Sequence, residues 1–324
     1  MKPYLAVSVL SLIAAVLPLQ AGQNPFAGRW ALTLEDGRTG WLGVEEKESG
    51  LTGALMWGTG SVLPVSKIEL QGDTLLVERP VASRGGESPT LKVVARRDSD
   101  GLKLESSILK LNGETEAGPR AEGRDSGPLP PTPDLAKVKY GTPEPLLDDD
   151  FPDKWTLVEG KEESGWTLRG GILSNRVVKE KGRRFGNVRT RAEYEDFRLT
   201  TDVRTLEGSN SGIYLRGRYE IQIAETFGKP LDSHNMGALY SRIVPAVAAE
   251  KPVGEWQKLE ITLVDKHVTV VLNGQTLINN QPVLGCTGGA LQSDESQPGP
   301  IMLQGDHTNI DYRNMVLQPV KKRD

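Results

Sequence analysis

The chain has 324 residues, enough for two domains of ordinary size, and its formal net charge of −4 is close to balance. That balance excludes the basic footprint of a nucleic-acid binder and any polybasic attraction to an anionic membrane. With 36 glycines, 21 prolines and no long helical periodicity, the composition argues against a helical bundle and predicts an all-β protein rich in turns.

Residues 1–21 read as an export leader. Lys2 supplies the positive end, residues 5–17 the apolar run, and Leu19-Gln20-Ala21 a cleavage site of small-residue type. The run is shorter than the ~20 apolar residues a membrane span needs, and no later run approaches that length. The expectation is an exported protein, periplasmic or secreted, without a membrane span. Cys286 is the only cysteine, so no intrachain disulfide can form. No histidine neighbours it in sequence, and a buried or loop thiol is expected rather than a nucleophile.

Residues 22–126 read as a small all-β accessory domain. Strand-like runs fall at 29–34, 40–45, 51–57, 74–78, 91–95 and 102–106. Turn signals separate them: Glu35-Asp36-Gly37, Gln71-Gly72-Asp73, Asp98-Ser99-Asp100-Gly101 and Leu111-Asn112-Gly113. This is a meander, barrel-like or folded on itself. Trp30, Trp41 and Trp57 are expected in its core, because indoles bury large areas. No acid–base or metal constellation occurs here. Residues 127–145 hold Pro128, Pro130, Pro131, Pro133, Pro143 and Pro145, a density that predicts an extended linker.

The second domain spans 146–320, with 321–324 as a tail. Strand-like runs fall at 189–194, 197–205, 212–216, 219–224, 261–264, 268–272 and 301–304. Asp265-Lys266 and Asn273-Gly274 suit tight hairpins. So many short strands without helices predict a two-sheet antiparallel sandwich. Trp155, Trp166 and Trp256, near strand starts, are expected in its core. Two long segments interrupt the sandwich, 226–254 with His234 and Tyr240, and 277–300 with Cys286. Long structured loops in a compact domain are often functional.

The stretch Asn210-Ser211-Gly212-Ile213-Tyr214-Leu215-Arg216-Gly217, continued by Arg218-Tyr219-Glu220-Ile221-Gln222-Ile223, alternates strictly. Ile213 and Leu215 share one face, Tyr214 and Arg216 the other. Arg218, Glu220 and Gln222 oppose Tyr219, Ile221 and Ile223. One face joins a core. The other is either a solvated surface with cross-strand ion pairs or a polar ligand site.

These phrases stand in order with Gly237-Ala238-Leu239-Tyr240, Gly254-Glu255-Trp256, Leu272-Asn273-Gly274, Gly299-Pro300-Ile301-Met302-Leu303-Gln304-Gly305-Asp306-His307 and Tyr312-Arg313-Asn314-Met315. Over residues 146–320 the chain resembles the 3-keto-disaccharide hydrolase family, also called domain of unknown function 1080. The resemblance implies a concanavalin A-like jelly roll with a sugar site on its concave face. It further implies a carbohydrate substrate and cleavage or hydration of sugars oxidised at C3.

Such chemistry needs a base for the C2 proton, a stabiliser for the enolate oxygen and an acid for the leaving oxygen. Glu220 is the expected base and Arg216 the expected cation. His234, His307 and Tyr240 are candidates for the acid. Tyr214, Gln222, Gln304 and Asp306 are candidate substrate contacts. His267, beside the Asp265-Lys266 turn, is expected at the surface. A divalent ion is a candidate cofactor, with Glu220, His234, Asp306 and His307 as N and O donors, although no H-x-H or H-E-x-x-H pair occurs. On a regular strand Asp306 and His307 would point to opposite faces. The run Asp148-Asp149-Asp150 is either a calcium ligand set or a solvated charge run.

Two other readings stay open. A two-carboxylate glycosidase would use Glu220 with Glu225, but regular alternation puts these on opposite faces. A lectin-like module would hold a glycan on the same face without chemistry, stacking it on Tyr214 and Tyr240.

Overall fold

The computed structural model describes residues 24–81, 87–158, 162–178 and 180–321. The expected leader lies outside these residues. Among the described residues, no helix is long and apolar enough to cross a membrane.

The protein is all-β, with two sheet systems in succession. The first comprises β1 (Gly28–Leu34), β2 (Thr39–Lys47), β3 (Gly50–Trp57), β4 (Leu63–Pro64), β5 (Lys67–Gln71), β6 (Thr74–Pro80), β7 (Thr90–Asp98), β8 (Gly101–Leu109), β9 (Thr115–Ala117) and β10 (Ala121–Asp125). They form one antiparallel sheet in the order β4-β3-β2-β1-β10-β8-β7-β6-β5, with β9 on β8. The sheet curls until Ile68 of β5 lies over Gly53 of β3, which gives it a barrel-like form. Alternate residues such as Leu32, Leu42, Leu55, Val77 and Val93 fill the inside. Trp30 and Trp57 lie in this core as expected. Trp41 does not: it belongs to a separate buried cluster with Met56 and Cys286, where the two domains meet.

The second system comprises β11 (Glu144–Pro145), β12 (Trp155–Leu157), β13 (Trp166–Arg169), β14 (Ile172–Asn175), β15 (Val188–Thr190), β16 (Phe197–Thr205), β17 (Asn210–Leu215), β18 (Tyr219–Ala224), β19 (Trp256–Val264), β20 (His267–Leu272), β21 (Gln275–Pro282), β22 (Met302–Leu303) and β23 (Ile310–Pro319). The larger sheet runs β13-β14-β23-β16-β19-β20-β21, with β11 on β23, and the smaller runs β12-β15-β22-β17-β18. Together they make a jelly-roll sandwich. Ile213, Leu215, Tyr219, Ile221 and Ile223 of the small sheet pack against Phe197, Leu199, Leu259, Ile261 and Val270 of the large one. Each fully buried aliphatic side chain stabilises the sandwich by about 1.5–3 kcal/mol.

Several expectations change here. The proline-rich stretch is tied to the sandwich: Pro133 O accepts from Asn280 Nδ2 at 2.9 Å, and Tyr140 bridges to Val320. Trp256 is not core. It lies half-buried on the outer face of the large sheet, between the guanidinium groups of Arg204 (4.7 Å) and Arg313 (4.1 Å). His267 is buried rather than exposed, its Nδ1 donating to Asp265 O at 2.8 Å. The central strand β23 was hidden by a bulge. Asn314 takes a left-handed φ of 52°, and the pairing with β16 slips between Thr200 and Asp202, so the alternation breaks mid-strand.

Candidate functional site

The outer face of the small sheet is the candidate site. Register decides what it presents. Arg189 pairs with Met302, Met302 with Tyr214, and Tyr214 with Glu220. Paired residues share a face, so these four form one row across four strands. The core row beside it is Val188, Leu303, Ile213 and Ile221. Next on the outer face, Gly212 pairs with Gln222, and Gly212 O accepts from the Gln304 N–H at 3.0 Å.

Gly212 explains how Glu220 fits. A Cβ at this position would lie 2.3 Å from Glu220 Oε1, so only glycine lets the carboxyl lie across the strand. The carboxyl is then flanked by two amides. Gln222 donates through Nε2 to Asn210 Oδ1 at 2.8 Å, which leaves its Oε1 shielded and without a partner among the described residues. Gln304 Oε1 is shielded and unpartnered as well. Two buried acceptors beside one carboxyl suit a ligand that brings hydroxyl donors.

Glu220 is 3% exposed, and burial raises its pKa from 4.5 to about 8; the Tyr214 hydroxyl opposes the rise and the Asp306 carboxylate adds to it. Tyr214 Oη lies 2.9 Å from Glu220 Oε2 and 2.8 Å from Gly288 O. One phenolic proton cannot serve both acceptors. With Glu220 protonated, the carboxyl donates to Tyr214 and the phenol donates to Gly288, and all three groups are satisfied. Ionisation makes two acceptors compete for one donor. Hydrogen-bond counting therefore agrees with burial about the direction.

Two histidines stand near this row. His307 Nδ1 is 2.5 Å from Asp306 Oδ1, and that hydrogen bond raises the His307 pKa. Both follow β22 in a bend, so they face one another rather than opposite sides of a strand. They line a cleft of about 470 Å³ with Arg184 and Phe185. His234 Nδ1 is 2.5 Å from Asp232 Oδ1, and its ring meets Tyr240 edge-on at 4.9 Å. The Tyr240 N–H in turn donates to Glu220 O at 2.9 Å.

Arg216 is placed elsewhere. It turns the β17–β18 hairpin with a φ of 54°, and its guanidinium donates to Glu295 O (3.2 Å) and Gln297 O (2.6 Å). It ties down the loop before β22. Arg218 does the same, donating to Gln297 O at 2.7 Å and Pro298 O at 3.1 Å. The cation on the site face is Arg189, half-buried and without a side-chain hydrogen bond or ion pair among the described residues. Sequence reading missed it. The strand-like run read at 189–194 begins with this residue, but the strand is Val188–Thr190, and the face of Arg189 follows only from its pairing with Met302.

Tyr214 is 2% exposed, which makes it a partner of Glu220 rather than an open stacking platform. Glu225 accepts from the Gly208 N–H at 2.8 Å beyond the end of β18, and does not join Glu220. Among the described residues, no three His, Cys, Asp or Glu side chains gather as metal ligands. Asp148 Oδ2 is 2.5 Å from Lys154 Nζ, so that carboxylate already has a cation. Cys286 is buried, which pushes its thiol up to about 12, away from nucleophilic use.

No curated protein matches the chain. Among solved structures it is similar to a Parabacteroides distasonis protein provisionally described as a glycosyl hydrolase, at 28% identity over 59% of this chain and 92% of that one, with a TM-score of 0.45. It is also similar to the Bacillus licheniformis β-glucanase, at 11% identity over 57% and 98% with a TM-score of 0.34. The carbohydrate-binding module CBM66 of Bacillus subtilis gives 13% over 51% and 95%, with a TM-score of 0.33. Residues 142–318, more than half of the chain, match the model of the 3-keto-alpha-glucoside-1,2-lyase-like domain, and the chain belongs to that family.

Proposed function

We propose that the protein cleaves glycosides or disaccharides carrying a ketone at C3, after export directed by residues 1–21. The observation that carries this reading is Glu220: a buried carboxyl with its pKa raised to about 8, set between two amide oxygens and in one row with a guanidinium, all three without partners among the described residues. A ground-state sugar offers such a base no acidic C–H. A 3-keto sugar does, at C2.

In this mechanism ionised Glu220 takes the C2 proton. The electrons move to the C3 oxygen, where Arg189 stabilises the enolate. Arg189 lies two strands from Tyr214, about 10 Å at the backbone, within reach of a long side chain. Collapse of the enolate forms the C1=C2 double bond and expels the C1 substituent, whose oxygen takes a proton from His307. The hydrogen bond to Asp306 raises the pKa of that imidazole and so favours the charged form that donates. Addition of water, OH to C1 and H to C2, yields the free 3-keto sugar. Gln222 and Gln304 accept from ring hydroxyls.

The test incubates purified protein with a glucoside and with its 3-keto derivative, each with and without a chelator. Release of aglycone from the keto form alone supports enolate chemistry, and its loss with chelator adds a metal to the mechanism. Cleavage of the plain glucoside moves the protein to a two-carboxylate hydrolase. Binding without turnover of either makes it a lectin-like module. Cell fractionation of the full-length chain tests export: retention in the cytoplasm with residues 1–21 uncleaved refutes it.

A further inference from the structure

The first domain lies outside the residues that match the family, yet it touches the site at two points. Both contacts come from the Gly58–Val62 turn that follows β3. Ser61 Oγ lies 2.9 Å from His234 Nε2, completing a chain from Asp232 through the imidazole to Ser61. The next residue continues the grip, the Val62 N–H donating to Ser241 Oγ at 3.0 Å. At the second point the backbones of Gly60 and Gly288 meet. A Cβ on Gly288 would lie 2.2 Å from Gly60 O, a contact no other residue allows. Gly288 O and Glu220 Oε2 are the two partners of the Tyr214 hydroxyl.

The loop carrying Gly288 is clamped by the same domain. Arg242 stacks on the Trp41 ring at 4.4 Å and donates twice to Cys286 O, at 3.1 and 2.6 Å. A Cβ on Gly285 would meet the Trp41 ring at 2.3 Å. Two residues on, Thr287 Oγ1 accepts from the Glu220 N–H at 3.0 Å. From β2 and β3 to Glu220 there is thus an unbroken run of packed and hydrogen-bonded groups.

We propose that the first domain is a working part of the site: Ser61 is a positioning residue that fixes the His234 ring, and Gly60 fixes the Gly288 carbonyl against Tyr214 and Glu220. The proposal rests on the reading of this face as the keto-glycoside site. It gives the accessory domain a role in turnover rather than in separate glycan capture. Asp232 sets one ring nitrogen of His234 and Ser61 the other, so neither the tautomer nor the ring angle is free.

The test uses the full-length chain with Ser61→Ala, Ser61→Thr and Gly288→Ala. The chain has only three histidines, so the imidazole ¹⁵N signals are separable by NMR. Ser61→Ala should move the His234 Nε2 signal and leave His267 and His307 in place. The His234 ring packs on Tyr240, whose N–H holds Glu220 O, so a freed ring shifts the base, and turnover of a 3-keto glucoside should fall by roughly 10- to 100-fold in kcat with KM within about twofold. Ser61→Thr, which keeps the hydroxyl, should restore both. Gly288→Ala displaces the carbonyl and leaves the phenolic proton to Glu220, so the rising limb of the pH–rate profile should move to lower pH. Tyr214 and Asp306 also face that carboxyl and are unchanged in this variant. An unmoved His234 signal, or unchanged kcat in both Ser61→Ala and Gly288→Ala, overturns the proposal. Wild-type protein inactive on every keto-glycoside, with His234 still shifted by Ser61→Ala, overturns instead the proposed function.

Discussion

The two outer faces of the jelly roll come from the same kind of sequence and end in opposite environments. On the large sheet, β16 alternates Phe197-Arg198-Leu199-Thr200-Thr201-Asp202-Val203, and every second residue is half-exposed. Its charges pair across strands, Arg198 with Glu260 at 2.6 Å and Asp202 with Arg313 at 3.0 Å. On the small sheet, β17 and β18 alternate just as cleanly, yet all six residues of β18 and the last five of β17 are buried. Loops 226–254 and 283–300, with the first domain behind them, cover that face. Water satisfies the polar groups of the first face. On the second the protein must satisfy them itself, and at Gln222 and Gln304 it does not. Polar residues kept at a cost in stability are the physical reason for proposing chemistry on that face.

The largest effect that would break this contrast is at Glu220. Glu220→Gln keeps the shape and removes the base, and turnover of a 3-keto glucoside should fall by about 10³-fold or more, with affinity retained in calorimetry. Substantial residual turnover would return the face to a structural role. Arg189 comes next. Arg189→Met should lower kcat by roughly 10²- to 10³-fold with little change in KM, the effect of losing one stabiliser of a developing oxyanion. Arg216→Met should instead lower the melting temperature, because its bonds to the Glu295 and Gln297 carbonyls hold the loop before β22. If the two variants exchanged effects, the assignment of the cation would be reversed.

Much of the fold was legible because alternation and turn chemistry are local. Residues 197–205 and 219–224 read as strands from sequence and stand with those bounds. β23 did not, since the Asn314 bulge interrupts its period. Within the candidate site, the meeting of Glu220, Tyr214 and Gln222 was legible because they share two adjacent strands and it follows from a hairpin register. Arg189 and Ser61 were not. Arg189 joins the row only through a three-residue strand paired with a two-residue one, and Ser61 only through the packing of one domain on another. Arg216 was misplaced because regular alternation was extended one residue too far, into a turn that requires positive φ. Burial itself was invisible, since nothing in β17 or β18 says that a loop 60 or more residues later will cover them.

Burial also predicts a pH dependence of stability. The folded pKa of Glu220, about 8, lies above its ordinary value of 4.5. Between those values the native state holds a proton that the unfolded state has released, so raising the pH favours unfolding. The contribution is complete below pH ~4.5 and is lost as pH rises through 8, on the order of a few kcal/mol. Denaturant titrations at pH 5 and pH 9 should show wild type losing more stability than Glu220→Gln over that interval. Equal losses would mean that the carboxyl is ionised in the native state at neutral pH.

The smallest effect belongs to the solvated face and is the control for all the others. Arg198 and Glu260 make a 2.6 Å contact, closer than Tyr214 to Glu220 at 2.9 Å. Distance alone would rank the ion pair higher. Exposure reverses the order: water screens the Arg198 guanidinium, whereas Tyr214 and Glu220 are too buried for water to replace either partner. A double-mutant cycle with Arg198→Ala and Glu260→Ala should give a coupling below about 1 kcal/mol, weaker still in high salt. The corresponding cycle with Tyr214→Phe and Glu220→Gln should give the larger coupling and little salt dependence. Equal couplings on the two faces would mean that the loops over β17 and β18 leave them as wet as β16, and the physical basis for reading that face as a site would be gone.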